Sequence, residues 1–126
     1  MQRIRSNIDT NSADYQENVA HNRTLIEEFR RKQDEARHKR PERDMKRLER
    51  QSKMFIRDRI EMLLDPGTPF LELSSLAANM AYDGDSASAS SVVGIGVVSG
   101  RDVIIRADDP SVKGGAWYPL TVKKIV

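Results

Sequence analysis

Two short runs of β-branched residues in the last third of the sequence constrain the fold most. Residues 92–98 read VVGIGVV, residues 103–105 read VII, and Ser99-Gly-Arg-Asp102 between them favours a turn. Both runs are apolar at nearly every position, which is typical of strands covered on both faces. The sequence therefore predicts adjacent strands at 92–99 and 102–107, joined by a tight turn.

The segment after the second run predicts a loop and then a helix. Asp108-Asp-Pro110 ends the strand, and Asp in such a turn bonds its own backbone. The glycine pair in Lys113-Gly-Gly115 lets backbone amides approach a ligand closely. Spacing alone favours a plain strand-to-helix connection, because two adjacent glycines are a weak signal. Pro119 predicts a helix that begins near Tyr118.

The first half of the chain is charged and helical. Ser12 is a predicted N-cap for a helix over 13–40, and Pro41 suits the first turn of a second helix. A compact helical stripe follows, consisting of Ile56, Ile60, Leu63 and Leu64. Asp65-Pro-Gly67 ends that stripe, and residues 70–73 form a short extended segment. Residues 83–91, DGDSASASS, predict a flexible surface loop, because burying polar backbone is costly.

Composition excludes several classes of protein. The 126 residues suffice for about one domain, and the absence of cysteine excludes a disulfide scaffold or a cysteine-ligated metal site. No apolar run approaches the ~18 residues of a membrane span, and the first residues lack the apolar core of a secretory signal. Arg3 and Arg5 suggest a mitochondrial presequence, but Asp9 and Asp14 count against it. We expect a bacterial cytoplasmic protein, with the mitochondrial matrix as the alternative.

The most basic part of the chain, Arg30–Arg59, holds 13 Lys or Arg and 6 Asp or Glu residues. Nucleic-acid binding is one interpretation. The cations are interleaved with acids, however, and Phe55 is the only aromatic residue available for base stacking. A solvated helix with i,i+4 ion pairs is the better interpretation, so we expect weak, salt-sensitive DNA binding at most.

Two blocks of sequence carry a resemblance to a known family. One is RDRIEMLLDPG at 57–67 with FLEL at 70–73; the other comprises GIGVVSG at 94–100, ADD at 107–109, VKGGAWYP at 112–119 and TVKK at 121–124. Together they resemble the carboxyltransferase β subunit of biotin-dependent acyl-CoA carboxylases, in particular the methylcrotonoyl-CoA branch. The resemblance implies an α/β fold: the start of a crotonase/ClpP-like β-β-α spiral domain, preceded by long charged helices.

The same resemblance implies an activity and its partners. Family members transfer a carboxyl group from carboxybiotin to an acyl-CoA. The substrate expected here is 3-methylcrotonoyl-CoA, and geranyl-CoA is the second candidate. The biotin is carried by a partner α subunit with biotin carboxylase, the β subunits form a homo-oligomer, and this chain is expected to hold no metal. Catalysis uses backbone amides around oxyanions. A segment resembling Asp-Ser-Gly-Gly-Ala-Arg is absent, so no catalytic residue is assigned.

Binding residues also follow from the resemblance. Lys53, Arg57 and Arg59 match the cations of a Gly-Lys-x-x-x-Arg-Glu-Arg pattern and are expected to hold CoA phosphates. Ser52 replaces the glycine of that pattern, and Asp58 replaces the glutamate. The alternative is that the cations pair with acids on the helix surface. A possible substrate-pocket loop comprises Lys113, Gly114, Gly115, Trp117 and Tyr118.

These expectations divide the chain into a flexible arm at 1–11, a charged helical segment at 12–64, and an incomplete carboxyltransferase domain at 65–126. As a fragment, it is expected to be inactive alone. Two rival interpretations stay open. One is a non-enzymatic assembly module or degenerate paralogue, and the other is a nucleic-acid-binding module.

Overall fold

A computed structural model describes residues 6–84 and 86–126; of the predicted arm, residues 1–5 lie outside the described residues. The helices are α1 (Ala13–His38), α2 (Glu42–Arg50), α3 (Ile56–Leu63) and α4 (Pro119–Ile125), and the strands are β1 (Leu71–Leu73), β2 (Ser91–Val98) and β3 (Arg101–Asp108). Single 3₁₀ turns occur at Tyr82–Gly84, Ala87–Ser90 and Lys113–Gly115. The chain divides into two units after Lys32, and all that follows concerns the second unit, Gln33–Val126, unless stated.

The predicted strand pair is confirmed. β2 and β3 pair antiparallel with Val98 opposite Arg101, so the turn consists of Ser99 and Gly100 alone. Both have positive φ, +52° and +72°, as a two-residue hairpin turn of type I′ requires. The Asp65 carboxylate accepts hydrogen bonds from the amides of Ser99 and Gly100, each at 2.7 Å. The end of α3 thereby fixes the hairpin.

α3 packs on one face of the sheet and forms the core with it. Ile56 and Ile60 of the predicted stripe are buried against Val92 and Ile105, whereas Leu63 stays half exposed. Glycines in β2 make room for this packing. A Cβ on Gly94 would lie 2.6 Å from the Leu71 carbonyl oxygen and overlap the Phe70 ring, and one on Gly96 would overlap Leu64.

The other face of the sheet is exposed in the described part of the chain, so the expectation that both faces are covered is wrong there. Leu71, Ile95 and Ile104 lie opposite one another in register, and their exposed fractions are 61%, 38% and 78%. The two apolar runs alone could not show which face α3 covers.

The predicted helices of the first half are confirmed with small differences. In the first unit, the Tyr15 amide donates to the Ser12 hydroxyl at 3.3 Å, so Ser12 caps α1 as expected. α1 ends at His38 rather than at residue 40, and α2 begins directly after Pro41.

The expectation of a flexible surface loop at 83–91 is wrong for most of its residues. Ser86, Ser88, Ser90 and Ser91 are at most 2% exposed. Burial is tolerated because their polar groups are bonded: the Ser90 carbonyl accepts from the Asp109 amide at 2.9 Å, and the Ser88 and Ser91 carbonyls accept from a lysine described below.

Candidate functional site

A buried ion pair anchors the loop that follows β3. The side chains of Arg40 and Asp109 are each 2% exposed, and Nη2 of Arg40 lies 2.8 Å from Oδ2 of Asp109. Nε of Arg40 also donates to the Ser111 hydroxyl at 2.9 Å. The other Asp109 oxygen accepts from the Ser111 amide, as predicted for an Asp in this turn, and from the Ser111 hydroxyl. The start of the loop is therefore fixed to the end of α1.

Further contacts from the helices support the same loop. Nη1 of Arg40 donates to the carbonyls of Ala36 and Lys39, which lie in and just after the last turn of α1. Arg47 of α2 donates to the Pro110 carbonyl at 2.9 Å. Arg40 bonds both the loop and the end of α1, and Arg47 bonds the loop from α2. The loop is therefore held at a defined position relative to α2.

Next comes the glycine turn. Lys113, Gly114 and Gly115 all have positive φ, at +49°, +72° and +82°, a conformation that glycine adopts without steric cost. The Gly115 amide bonds the Val112 carbonyl at 2.8 Å, which closes the turn.

A groove of about 780 Å³ brings several predicted site residues together. Lys53, Arg59, Gly114 and Gly115 line it, along with Ser52, Met54, Met62, Leu63, Asp108 and Pro110. We call it the Lys53 groove. Two of the three predicted phosphate-binding cations thus share a concave surface with the glycine pair, although Lys53 and Gly114 are 61 residues apart in sequence.

The geometry at the end of α2 positions Lys53. The Lys53 amide bonds the Leu48 carbonyl and the Ser52 amide bonds the Glu49 carbonyl, each at 2.9 Å, which is the Schellman arrangement. Ser52 occupies the left-handed position with φ +52°. Glycine is favoured there, so the serine that replaces the pattern's glycine adopts the same turn with strain.

Arg57 does not line the Lys53 groove. Its Nη1 and Nη2 bond the two oxygens of Glu72, each at 2.9 Å, and its Nε bonds the Arg37 carbonyl at 2.9 Å. The Glu72 side chain is 2% exposed. Burial would raise the pKa of Glu72, but hydrogen bonds and charge from Arg57 and then Arg37 outweigh it and lower that pKa below its usual value. Every nitrogen of the Arg57 guanidinium has a protein acceptor.

Lys124 of α4 completes this buried polar cluster. Its ammonium donates to the Ser88 carbonyl at 2.9 Å, the Ser88 hydroxyl at 2.7 Å and the Ser91 carbonyl at 2.6 Å. Burial lowers the pKa of Lys124 to about 8, with the Glu72 charge opposing and the Arg57 charge adding to the shift. A hydroxyl bonded to a lysine resembles a nucleophile and its base. Ser88 is 2% exposed, however, so a substrate has no access to it.

Trp117 and Tyr118 do not themselves line the Lys53 groove. Trp117 is 53% exposed, donates to Asp108 at 3.1 Å and stacks under the Arg106 guanidinium at 4.4 Å. The Tyr118 ring lies 5.0 Å from the Tyr82 ring, and its amide bonds the Thr121 hydroxyl at the start of α4. Their role as a pocket wall stays a prediction.

The two histidines of the chain lie on exposed helix surface. His21 and His38 are exposed, and His38 pairs with Asp34 at 3.0 Å. Residues 6–84 and 86–126 hold no group of three or more His, Asp or Glu side chains that could bind a metal ion. No helix among the described residues is long and apolar enough to cross a membrane.

Sequence reasoning missed Arg40, Glu72 and Lys124. Arg40 and Asp109 are 69 residues apart, and Lys124 and Ser88 are 36 apart. No local spacing identifies such pairs. One available signal was the occurrence of a glutamate in an otherwise apolar strand, FLEL at 70–73, because a charge there requires a buried partner.

Comparison with known proteins identifies similar chains. The carboxyl transferase domain family matches residues 47–126. The β1 subunit of the biotin-dependent 3-methylcrotonyl-coenzyme A carboxylase of Mycobacterium tuberculosis is 54% identical over 57% of this chain and 14% of its own length. A probable mitochondrial methylcrotonoyl-CoA carboxylase β chain of Drosophila melanogaster is 36% identical over 96% of this chain and 21% of its own length. The chain thus spans about a fifth or less of these relatives.

Solved structures agree in fold. The β subunit of Pseudomonas aeruginosa geranyl-CoA carboxylase superposes with a TM-score of 0.64 at 34% identity, over 95% of this chain and 22% of that one. The transcarboxylase 12S structure superposes with a TM-score of 0.68 over 79% of this chain and 21% of that one, and at 24% identity it shows the fold alone. The expected fold is confirmed. It is the beginning of a crotonase-like carboxyltransferase domain, preceded in the sequence by a long helix.

Proposed function

Because the chain belongs to the carboxyl transferase domain family, we propose that it forms part of the carboxyltransferase subunit of a biotin-dependent acyl-CoA carboxylase. That subunit moves a carboxyl group from carboxybiotin to a carbon of an acyl-CoA. A partner α subunit carries the biotin, and several β subunits assemble together. Relatives come from bacteria and from mitochondria, so cytoplasmic localisation stays a prediction.

The proposed substrate is 3-methylcrotonoyl-CoA. The names of relatives support this choice, since two that are 54% and 36% identical are methylcrotonoyl-CoA carboxylase subunits. Geranyl-CoA is the second candidate, because the P. aeruginosa enzyme named for it is 34% identical over nearly the whole chain. Both substrates are branched acyl thioesters of the same carrier, and the same CoA site serves either.

The observation that carries the proposal is the convergence of Lys53 and Arg59 with Gly114 and Gly115 in one groove. The two exposed cations supply charge-assisted hydrogen bonds for the CoA phosphates. The glycine turn permits close approach of the ligand to the backbone. Met54, Met62 and Leu63 add exposed apolar surface beside them.

We propose a different role for Arg57. A phosphate contact would require it to release Glu72, which would leave that carboxylate buried beside fewer cations. We therefore assign CoA phosphates to Lys53 and Arg59, and assign to Arg57 the support of β1 against α3. The acid that pairs with Arg57 is Glu72 of β1 rather than an acid on the helix surface.

In this account the chain supplies binding and positioning. Carboxyl transfer requires stabilisation of an enolate oxygen by preorganised amide donors. The resemblance assigns those donors to a segment whose sequence is not among these 126 residues. The carboxybiotin supplies the carboxyl group when its carrier is bound.

The test is CoA binding to this chain, measured by isothermal titration calorimetry. Lys53→Ala and Arg59→Ala should each weaken binding about ten-fold or more, because a charge-assisted hydrogen bond contributes about 1.5–3 kcal/mol. Arg101→Ala is the matched control, since Arg101 is exposed at the start of β3 and does not line the groove. A pantetheine thioester without the nucleotide should bind all variants equally.

Two outcomes would contradict the proposal. Absence of CoA binding by the folded chain favours the assembly-module interpretation. Binding that Arg101→Ala weakens as much as Arg59→Ala indicates general attraction to a basic surface rather than a site.

A further inference from the structure

A larger groove, of about 930 Å³, lies where the end of α1, the exposed side of α2 and the loop after β3 meet. It does not share a lining residue with the Lys53 groove. Six cations and two acids line it: Lys39, Arg40, Arg43, Arg47, Arg50 and Lys113 against Glu35 and Asp44. We call it the Arg43 groove. The proposed carboxyltransferase function does not account for it.

The cations fall into two groups. Arg40 forms an ion pair with Asp109. Arg47 forms an ion pair with Asp44 at 3.1 Å and donates a hydrogen bond to the Pro110 carbonyl. Arg43 has an 84% exposed side chain and reaches Asp44 only at 3.6 Å. Because Arg47 already neutralises Asp44, the field at the mouth of the groove is positive.

Helix geometry places the exposed arginines in a row. Arg43 and Arg50 are seven residues apart on α2, which is two turns on the same face and about 10 Å along the axis. Lys39 approaches from the segment between α1 and α2. Exposed guanidinium groups on one face of a helix can contact phosphate groups, and the planar fork of arginine suits phosphate oxygens.

Part of the floor of the groove is apolar, although Asn79 and Ser111 also line it. Ala36 and Val112 are 5% and 4% exposed, and Pro41 and Ala87 lie beside them. An inorganic anion would leave the exposed Pro41 uncovered, whereas the flat face of a base would pack against it. A cationic rim over an apolar floor therefore fits a ligand with both a base and at least two phosphates.

From this arrangement we propose that the Arg43 groove binds a nucleoside diphosphate, at a site separate from the Lys53 groove. In this proposal, part of the basic run Arg30–Arg59 is a binding surface rather than the solvated helix face that the sequence indicates. Its cations converge on a concave site from α2, from the segment between α1 and α2, and from the loop after β3. They do not form a continuous strip along which a nucleic-acid backbone could bind.

The experiment is a calorimetric titration of the 126-residue chain with ADP, and with AMP and pyrophosphate as comparison ligands. ADP should bind with one-to-one stoichiometry. It should bind more tightly than either comparison ligand, because AMP lacks the second phosphate and pyrophosphate lacks the base. Arg43→Ala and Arg50→Ala should each weaken ADP binding about ten-fold or more. Lys46→Ala is the matched control: Lys46 is on the same helix, pairs with Glu42 at 2.6 Å and does not line the groove.

CoA separates this proposal from the proposed function. With two sites, saturating CoA leaves ADP affinity nearly unchanged, and Arg43→Ala leaves CoA affinity nearly unchanged. Full competition between CoA and ADP, with Arg43→Ala weakening both alike, overturns the separate site. Absence of ADP binding at millimolar concentration and low salt, or an equal effect of Lys46→Ala, also overturns it. The effect of Lys53→Ala on CoA binding is a separate measurement, and it tests the proposed function whichever of these results is obtained.

Discussion

Replacing Lys124 should change how the stability of the fold depends on pH. Burial lowers the pKa of Lys124 from 10.5 to about 8, against the opposing charge of Glu72. Between these values the unfolded chain binds the proton more tightly than the folded chain. The free energy of unfolding therefore rises as pH increases through this window, and the gain is lost as pH falls through about 8.

The size of the effect follows from the same two values. At about 1.4 kcal/mol per pH unit the full difference is about 3 kcal/mol. The group is partly solvent-accessible, and its ammonium has three oxygen acceptors, so we expect roughly 1–2 kcal/mol after screening. Arg57 and Arg37 face the same cluster and pair with Glu72, whose lowered pKa keeps that carboxylate charged across this range.

Urea unfolding at pH 7, 8, 9 and 10 measures this dependence. The comparison variants are Lys124→Met, which cannot titrate, and Lys124→Arg, which stays charged throughout. The wild-type chain should gain stability relative to both as pH rises. Parallel curves for all three chains would refute the reasoning and show that the ammonium is not desolvated in the fold.

Two further predictions concern the contacts that shape the grooves. Ser52→Gly should raise the free energy of unfolding by about 1 kcal/mol, because glycine removes the strain of φ +52° at the end of α2; a loss of stability in urea would contradict this. Arg40→Met should lower it by about 3–5 kcal/mol, because Asp109 would remain buried without its cationic partner. The double variant Arg40→Met/Asp109→Leu should recover part of that loss, and no recovery would show that the ion pair is not the cause.

Features set by neighbouring residues could be predicted from the sequence. The β2–β3 hairpin follows from two β-branched runs around Ser99-Gly100, and the start of α1 follows from Ser12. The buried positions Ile56 and Ile60 follow from helical spacing. Each of these depends on interactions within a few residues or on a single periodic pattern.

Features set by distant residues could not be predicted in the same way. The serine segment after Gly84 is polar and small, and it is buried only because Lys124 and Asp109 reach it from the other end of the chain. Arg57 matched a ligand-binding pattern, yet its guanidinium pairs with Glu72, which occurs 15 residues later in β1. Such pairings depend on how elements pack, which local composition does not specify.

The central claim is that CoA occupies the Lys53 groove, and amide chemical shifts test it most directly. In a ¹⁵N-labelled chain titrated with CoA, the account predicts saturable shifts at Lys53, Arg59, Gly114 and Gly115, with smaller changes at Arg43 and Arg50. Shifts concentrated at Arg43 and Arg50 with none at Gly114 and Gly115, or no saturable shifts at millimolar CoA, would contradict it.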